Sequence, residues 1–195
     1  MTSKEQILGA IAANKPALRP LPALPAEPID TEPFVKLQKF SAVLQGIGGT
    51  TEEIESTTQI TAYKSELIAK GLKVASFSPE AGPGNFEVDP SQTAPELEMV
   101  DYAFINATLG VAENGSVWLY ESQFVNRLLP FICQHLVIIL QKNTIVSDMH
   151  EAYRNIDAIK EGYGLFLAGP SKTADIEQSL VIGAHGARSA KIFLI

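Results

Sequence analysis

One cysteine, Cys133, stands in 195 residues. A single thiol forms no internal disulfide and supplies no four-cysteine iron–sulfur or zinc site. Positive charge is also scarce: 15 Lys and Arg face 22 Asp and Glu, a net charge of −7, and no Lys/Arg block occurs. Nucleic-acid binding needs clustered cations, so nucleic acid is not an expected partner. The Gly-x-x-x-x-Gly-Lys-Ser/Thr and Gly-x-Gly-x-x-Gly patterns are both missing, which removes the P-loop and the dinucleotide fingerprint. The longest apolar region, Leu128 to Leu140, is broken by Gln134 and His135 and is too short to cross a bilayer. The N-terminus has no signal-peptide core, since Ser3-Lys4-Glu5-Gln6 is polar. His135, His150 and His185 show no metal-ligand spacing, so no metal is expected. These absences predict a cytoplasmic protein without membrane insertion.

What is present is a packed globular composition, 46 % hydrophobic and 19 % charged. Residues 3 to 13 read as a short helix with Ser3 and Gln6 as a capping box and Ile7, Leu8 and Ile11 on one face. Pro16, Pro20, Pro22, Pro25, Pro28 and Pro33 then crowd a segment that predicts extended chain. Residues 1–32 are therefore taken as an arm and 33–195 as the main domain. Phe34, Leu37, Phe40, Leu44 and Ile47 predict an amphipathic helix stopped by Gly48-Gly49. Residues 50 to 56 suggest a polar edge strand. Thr58 to Lys70 reads as a helix and 72 to 77 as a strand. A long loop follows over 78 to 96.

Residues 102 to 107 and 116 to 120 read as strands joined through a hairpin at Glu113-Asn114-Gly115. Leu136 to Leu140 suits a strand covered on both faces. Ser147 opens an expected helix to Ile159. Gly164 to Ala168 is a strand, Thr173 to Ile182 an expected helix and Lys191 to Ile195 a last strand. The order predicts an α/β class: a three-layer α/β/α domain with a mostly parallel, locally mixed sheet.

The chemistry-bearing candidates lie in turns. Gly169-Pro170-Ser171-Lys172-Thr173, entering a helix that carries Asp175 and Glu177, would present backbone N–H groups and one ammonium to an anion; the same residues also suit plain helix capping. His185, between Gly183 and Gly186, suits proton transfer or a backbone-bonded loop. Glu113 suits a nucleophile or base, or a solvated turn residue. Arg127 suits an anion, and His135 opens the apolar strand. Cys133 reads as a buried small hydrophobe.

Gly169 to Glu177, followed by Gly183-Ala184-His185-Gly186, resembles the closing signature of the LUD-domain family, in its lactate-utilisation protein C branch. Gly110-Val111-Ala112-Glu113-Asn114-Gly115-Ser116 resembles that family's Glu-Thr-Gly-Thr segment, and Arg127-Leu128-Leu129-Pro130 with His135 resembles its Leu-Pro-x-x-His segment. Asn114 stands where the family usually has Thr or Ser, and Ala187 where it usually has Pro.

The resemblance implies a fold related to ribose-5-phosphate isomerase, glucosamine-6-phosphate deaminase and the CoA transferases. It implies a non-redox component of L-lactate oxidation that works beside iron–sulfur partner proteins and holds no cofactor itself. It places a small anionic ligand among Gly110, Asn114, Gly115, Arg127, His135, Gly169, Pro170, Ser171, Lys172, Thr173, Asp175, Glu177, Gly183 and Gly186, with Glu113 and His185 as catalytic candidates. A stand-alone enzyme of the CoA-transferase or isomerase type using Glu113 is the alternative, and a pure binding module is a third reading. A homo-oligomer is compatible with all three.

Overall fold

The structure is a computed structural model that describes residues 2–20, 32–157, 161–174, 180–183 and 186–195. Its elements run α1 (Ser3–Ala13), α2 (Pro33–Gly46), β1 (Thr50–Glu53), α3 (Thr58–Ala69), β2 (Val74–Ser76), α4 (Ala94–Leu97), β3 (Tyr102–Asn106), β4 (Leu109–Val111), β5 (Ser116–Tyr120), α5 (Leu129–Ile132), β6 (His135–Leu140), β7 (Ile145–Val146), α6 (Met149–Asn155), β8 (Gly164–Leu167), β9 (Lys172–Ala174), β10 (Leu180–Ile182) and β11 (Ser189–Leu194).

Five strands form an all-parallel central sheet in the order β1-β11-β6-β3-β2, with β1 at an edge. Strand alternation divides its side chains between two faces. Val74, Phe104, Val137, Ile139 and Phe193 pack with Ile60 and Leu67 of α3. Ala75, Ala103, Ile105, Leu136, Ile138, Leu140, Ile192 and Leu194 pack with Phe40 and Leu44 of α2 and with Val117 and Leu119 of β5. That second face meets a four-stranded mixed sheet, β7-β4-β5-β8. The outer face of the mixed sheet carries Leu109, Val111, Trp118 and Tyr120, packed on Ala152 of α6. The α/β class and the mostly parallel central sheet match the reading of the sequence.

Several local expectations change. The segment read as a helix over 173–182 contains two antiparallel strands, β9 and β10, with Thr173 opposite Val181. The β-branched residues Thr173, Val181 and Ile182 suit extended backbone, and pairing overrides the weak helical periodicity. The Glu113-Asn114-Gly115 turn joins β4 to β5, while β3 belongs to the other sheet. The helix expected from Ser147 to Ile159 is α6, capped by Asp148, which accepts from the Glu151 N–H at 2.7 Å. The first helix is capped by Thr2 with Glu5 rather than by Ser3 with Gln6. α1 buries no side chain, and Phe34 at the start of α2 is 66 % exposed.

Candidate functional site

Two glycine turns converge on the C-terminal end of α2. Gly115 and Gly169 both have left-handed backbone, with φ of 69° and 67°. A Cβ on Gly115 would lie 3.0 Å from the Leu44 nitrogen, and one on Gly169 would lie 3.2 Å from the Ile47 carbonyl oxygen. Only glycine meets both demands without strain. Gly110 is a packing glycine, because a Cβ there would press within 2.8 Å of Leu140. The motif glycines thus seat the mixed sheet on α2.

The Gly169 turn then meets the glycine cluster that precedes β11. The Ser171 N–H donates to the Ala187 carbonyl at 2.8 Å, and the Ser171 carbonyl accepts from Gly183 N–H at 3.0 Å. Gly186 approaches Ser171 and the Phe131 carbonyl so closely that a Cβ would sit 3.0 and 3.2 Å away. Two cavities flank this contact. One, of about 290 Å³, is lined by Phe131, Phe166, Gly169, Ser171, Lys172 and Gly186. The other, of about 460 Å³, is lined by Glu98, Leu128, Phe131, Gln134, Gly183 and Arg188. Phe131 and Gly186 are shared walls. Lys172 and Arg188 are exposed, and neither has an ion-pair partner among the described residues. The Lys172 cavity is mixed apolar and cationic, so it suits a small anion with an apolar part, while the Arg188 cavity also carries the Glu98 side chain. The anion-binding helix N-terminus expected at Thr173 is replaced by the start of the β9–β10 pair.

Other expected site residues stand apart. The Oε2 of Glu113 accepts from the Met149 N–H at 2.9 Å, so its carboxylate caps α6. Asn114 Oδ1 accepts from the Ser116 N–H at 3.0 Å and hydroxyl at 2.7 Å, an Asx turn. Arg127 forms a fork with Glu121 at 2.7 and 2.8 Å and stacks 4.7 Å above Tyr163. That ion pair holds the Glu121 carboxyl below its usual range. In the β5–β8 ladder Tyr120 faces Gly164, whereas Val117 faces Leu167. Arg127 therefore sits at the opposite end of this pair from Gly169.

His135 alternates with Leu136, which lines the smaller cavity, so its ring lies on the α3 side of the central sheet. There it stacks 4.6 Å from Tyr102, and its Nδ1 lies 2.8 Å from Ser189 Oγ. Burial, helped by Arg188, lowers its pKa. Cys133 is buried, and desolvation pushes its thiol up to about 12, so it is no thiolate nucleophile. His185, Asp175 and Glu177 lie outside the described residues, as does the side chain of Thr173. Arg188 and Phe131 were not singled out from the sequence. Arg188 was within reach of such reasoning, because it closes the glycine cluster two residues after Gly186.

Comparison with known proteins decides the family. The family model of the LUD domain matches residues 37–195. This chain belongs to the LUD-domain family. The LUD domain here is 32 % identical over 103 residues to Lactate utilization protein C of Shouchella clausii, covering 50 % of this chain and 45 % of that protein. It is 32 % identical over 138 residues to Lactate utilization protein C of Geobacillus kaustophilus, covering 68 % of this chain and 54 % of that one. The chain spans about half the length of the curated relatives it matches. A crystal structure of a DUF162 family protein from Deinococcus radiodurans shares the fold, with a TM-score of 0.64 and 16 % identity over 84 % of this chain and 98 % of that one. No helix among the described residues is long and apolar enough to cross a membrane.

Proposed function

We propose that this LUD-domain protein serves L-lactate utilisation as a non-redox component beside iron–sulfur proteins, binding a small anionic ligand at the paired cavities around Phe131 and Gly186. The observation that carries the lactate reading is the relatives named Lactate utilization protein C, which match up to 68 % of this chain. Lys172 and Arg188, without ion-pair partners among the described residues and beside an apolar wall, support the anionic ligand. A carboxylate of a short acid would pair with one of these cations while its carbon atoms meet Phe131.

In this role the domain binds and presents the acid, and electron transfer belongs to its partners. Deletion of the gene in its native host tests the proposal. Growth on L-lactate is lost and is restored by the intact gene, and tagged protein brings down iron–sulfur partners. Normal growth of the deletion strain on L-lactate, with no such partners recovered, contradicts it.

A further inference from the structure

The two cavities that share Phe131 differ in charge. Among the described residues, Lys172 is the one charged residue of the smaller cavity. The larger, of about 460 Å³, is lined by both Glu98 and Arg188, together with Leu128, Phe131, Ile132 and Gln134. Its volume falls in the range of about 300–1,000 Å³ typical of small-molecule sites. Glu98 and Arg188 form no ion pair with each other, and among the described residues neither side chain has another ionic or hydrogen-bond partner. Leu128 and Phe131 are 43 % and 45 % exposed, so the fold leaves their apolar surface uncovered between the two charges.

The walls of this cavity are anchored in the core. Leu97 and Val100, both fully buried, fix the turn that carries Glu98, and the Glu98 N–H donates to the Ala94 carbonyl at 2.9 Å. The Gln134 N–H donates to the Val100 carbonyl at 3.1 Å, and the Arg188 N–H donates to the Gln134 carbonyl at 2.8 Å. Backbone hydrogen bonds thus tie the Glu98 turn to Gln134 and Gln134 to Arg188. Gly183 has φ of 77°, and a Cβ there would lie 2.5 Å from Arg188 Cγ. The missing side chain lets the aliphatic stem of Arg188 lie against residue 183, which holds the cation at the cavity.

We infer that this cavity takes a zwitterion, an α-amino acid with an aliphatic side chain, whose carboxylate meets Arg188, whose ammonium meets Glu98 and whose side chain meets Leu128, Phe131 and Ile132. The guanidinium fork matches a carboxylate, and the Glu98 carboxylate accepts from an ammonium. A plain carboxylic acid leaves Glu98 unpaired and meets its negative charge, so the Lys172 cavity suits it better. The site goes beyond the acid-binding proposal and stands without it, because the two ligands differ in charge and in cavity.

The test is ¹H–¹⁵N NMR titration of the full chain, following the Gln134 side-chain amide and the backbone amides of Glu98, Gly183 and Arg188. The probes are L-leucine, isocaproate (leucine without its ammonium), isoamylamine (leucine without its carboxylate) and glycine (no side chain). Leucine shifts these signals saturably, and each of the other three binds about tenfold more weakly or worse. Glu98→Gln, at an exposed position, keeps the spectrum of the folded protein, weakens leucine about three- to tenfold and removes its advantage over isocaproate. Lys172→Ala, in the other cavity, leaves the leucine affinity within about twofold. The inference is overturned if leucine leaves these signals unmoved or if isocaproate binds them as tightly as leucine. It is also overturned if Glu98→Gln binds leucine as tightly as the wild type, or if Lys172→Ala weakens leucine as much as Glu98→Gln does. Leucine binding without any binding of L-lactate or pyruvate supports this site and contradicts only the acid proposal.

Discussion

Single residues in this chain separate packing roles from ligand roles. Glu113 is a catalytic candidate in the sequence, yet its carboxylate accepts the Met149 N–H at the start of α6. Glu113→Ala is expected to lose about 0.5–1.5 kcal/mol of stability in urea unfolding, while Glu113→Gln retains the acceptor and loses less. If Glu113 were a nucleophile, Glu113→Gln would abolish a turnover that the wild type shows.

Val125 has φ of 60°, the left-handed region that a β-branched side chain rarely adopts. Val125→Asn should raise stability by about 0.5–1 kcal/mol, since Asn tolerates this conformation, and urea unfolding will show it. A drop in stability would mean that the apolar side chain outweighs the strain.

His135 gives a pH signature. Burial, then Arg188, lowers its folded pKa below the ordinary value near 6.5. The unfolded chain thus binds the proton more readily, so the stabilisation is present above about pH 6.5 and is lost as pH falls below it. Unfolding free energies measured from pH 7.5 to 5 should fall more for the wild type than for His135→Gln. Equal slopes would show that His135 does not carry this dependence.

At the level of elements, α2 connects the motif turns to the core. Leu44 contacts Gly115, and Ile47 contacts Gly169, so two sequence motifs far apart in the chain share one helix end. The sequence made α2, α3 and β6 legible, because their apolar spacing is strong and burial follows it. It also marked the Asn-Gly turn, whose left-handed Gly115 is a local demand.

It misled at 173–182, where capping residues were plausible but the β-strand partner across the hairpin is a tertiary fact. It also joined β3 to β5 directly, because alternation reports faces and not which sheet a strand enters. The candidate site was half legible. Gly169 to Lys172, Gly183 and Gly186 do meet, but nothing local revealed that Arg127 is committed to Glu121 or that His135 points to the opposite face.

The arm gives a prediction at this scale. Ile7, Leu8 and Ile11 of α1 are each more than half exposed. With so little area removed from water, α1 contributes almost nothing to the fold. Deleting residues 1–14 should leave the urea midpoint unchanged within about 0.5 kcal/mol, and a larger loss would reveal a docking contact for this helix.

At the scale of the whole molecule, a parallel five-stranded sheet packs against a mixed four-stranded one. The C-terminal edge of the parallel sheet carries Ser76, Asn106 and Glu80, with the Asn106 amide donating to the Glu80 carboxylate at 2.8 Å. On the mixed-sheet side, Lys172 and Arg188 flank Phe131 and two adjoining cavities of about 290 and 460 Å³. The central point of the proposal is the binding of a small acid beside Lys172 and Arg188.

Isothermal titration of L-lactate and pyruvate into the wild type and into the Lys172→Ala, Arg188→Ala double variant addresses that point directly. Saturable binding of at least one acid by the wild type, weakened about ten- to hundredfold in a folded double variant, is the predicted result. Failure of the wild type to bind either acid, or equal affinity in the double variant, would contradict the account.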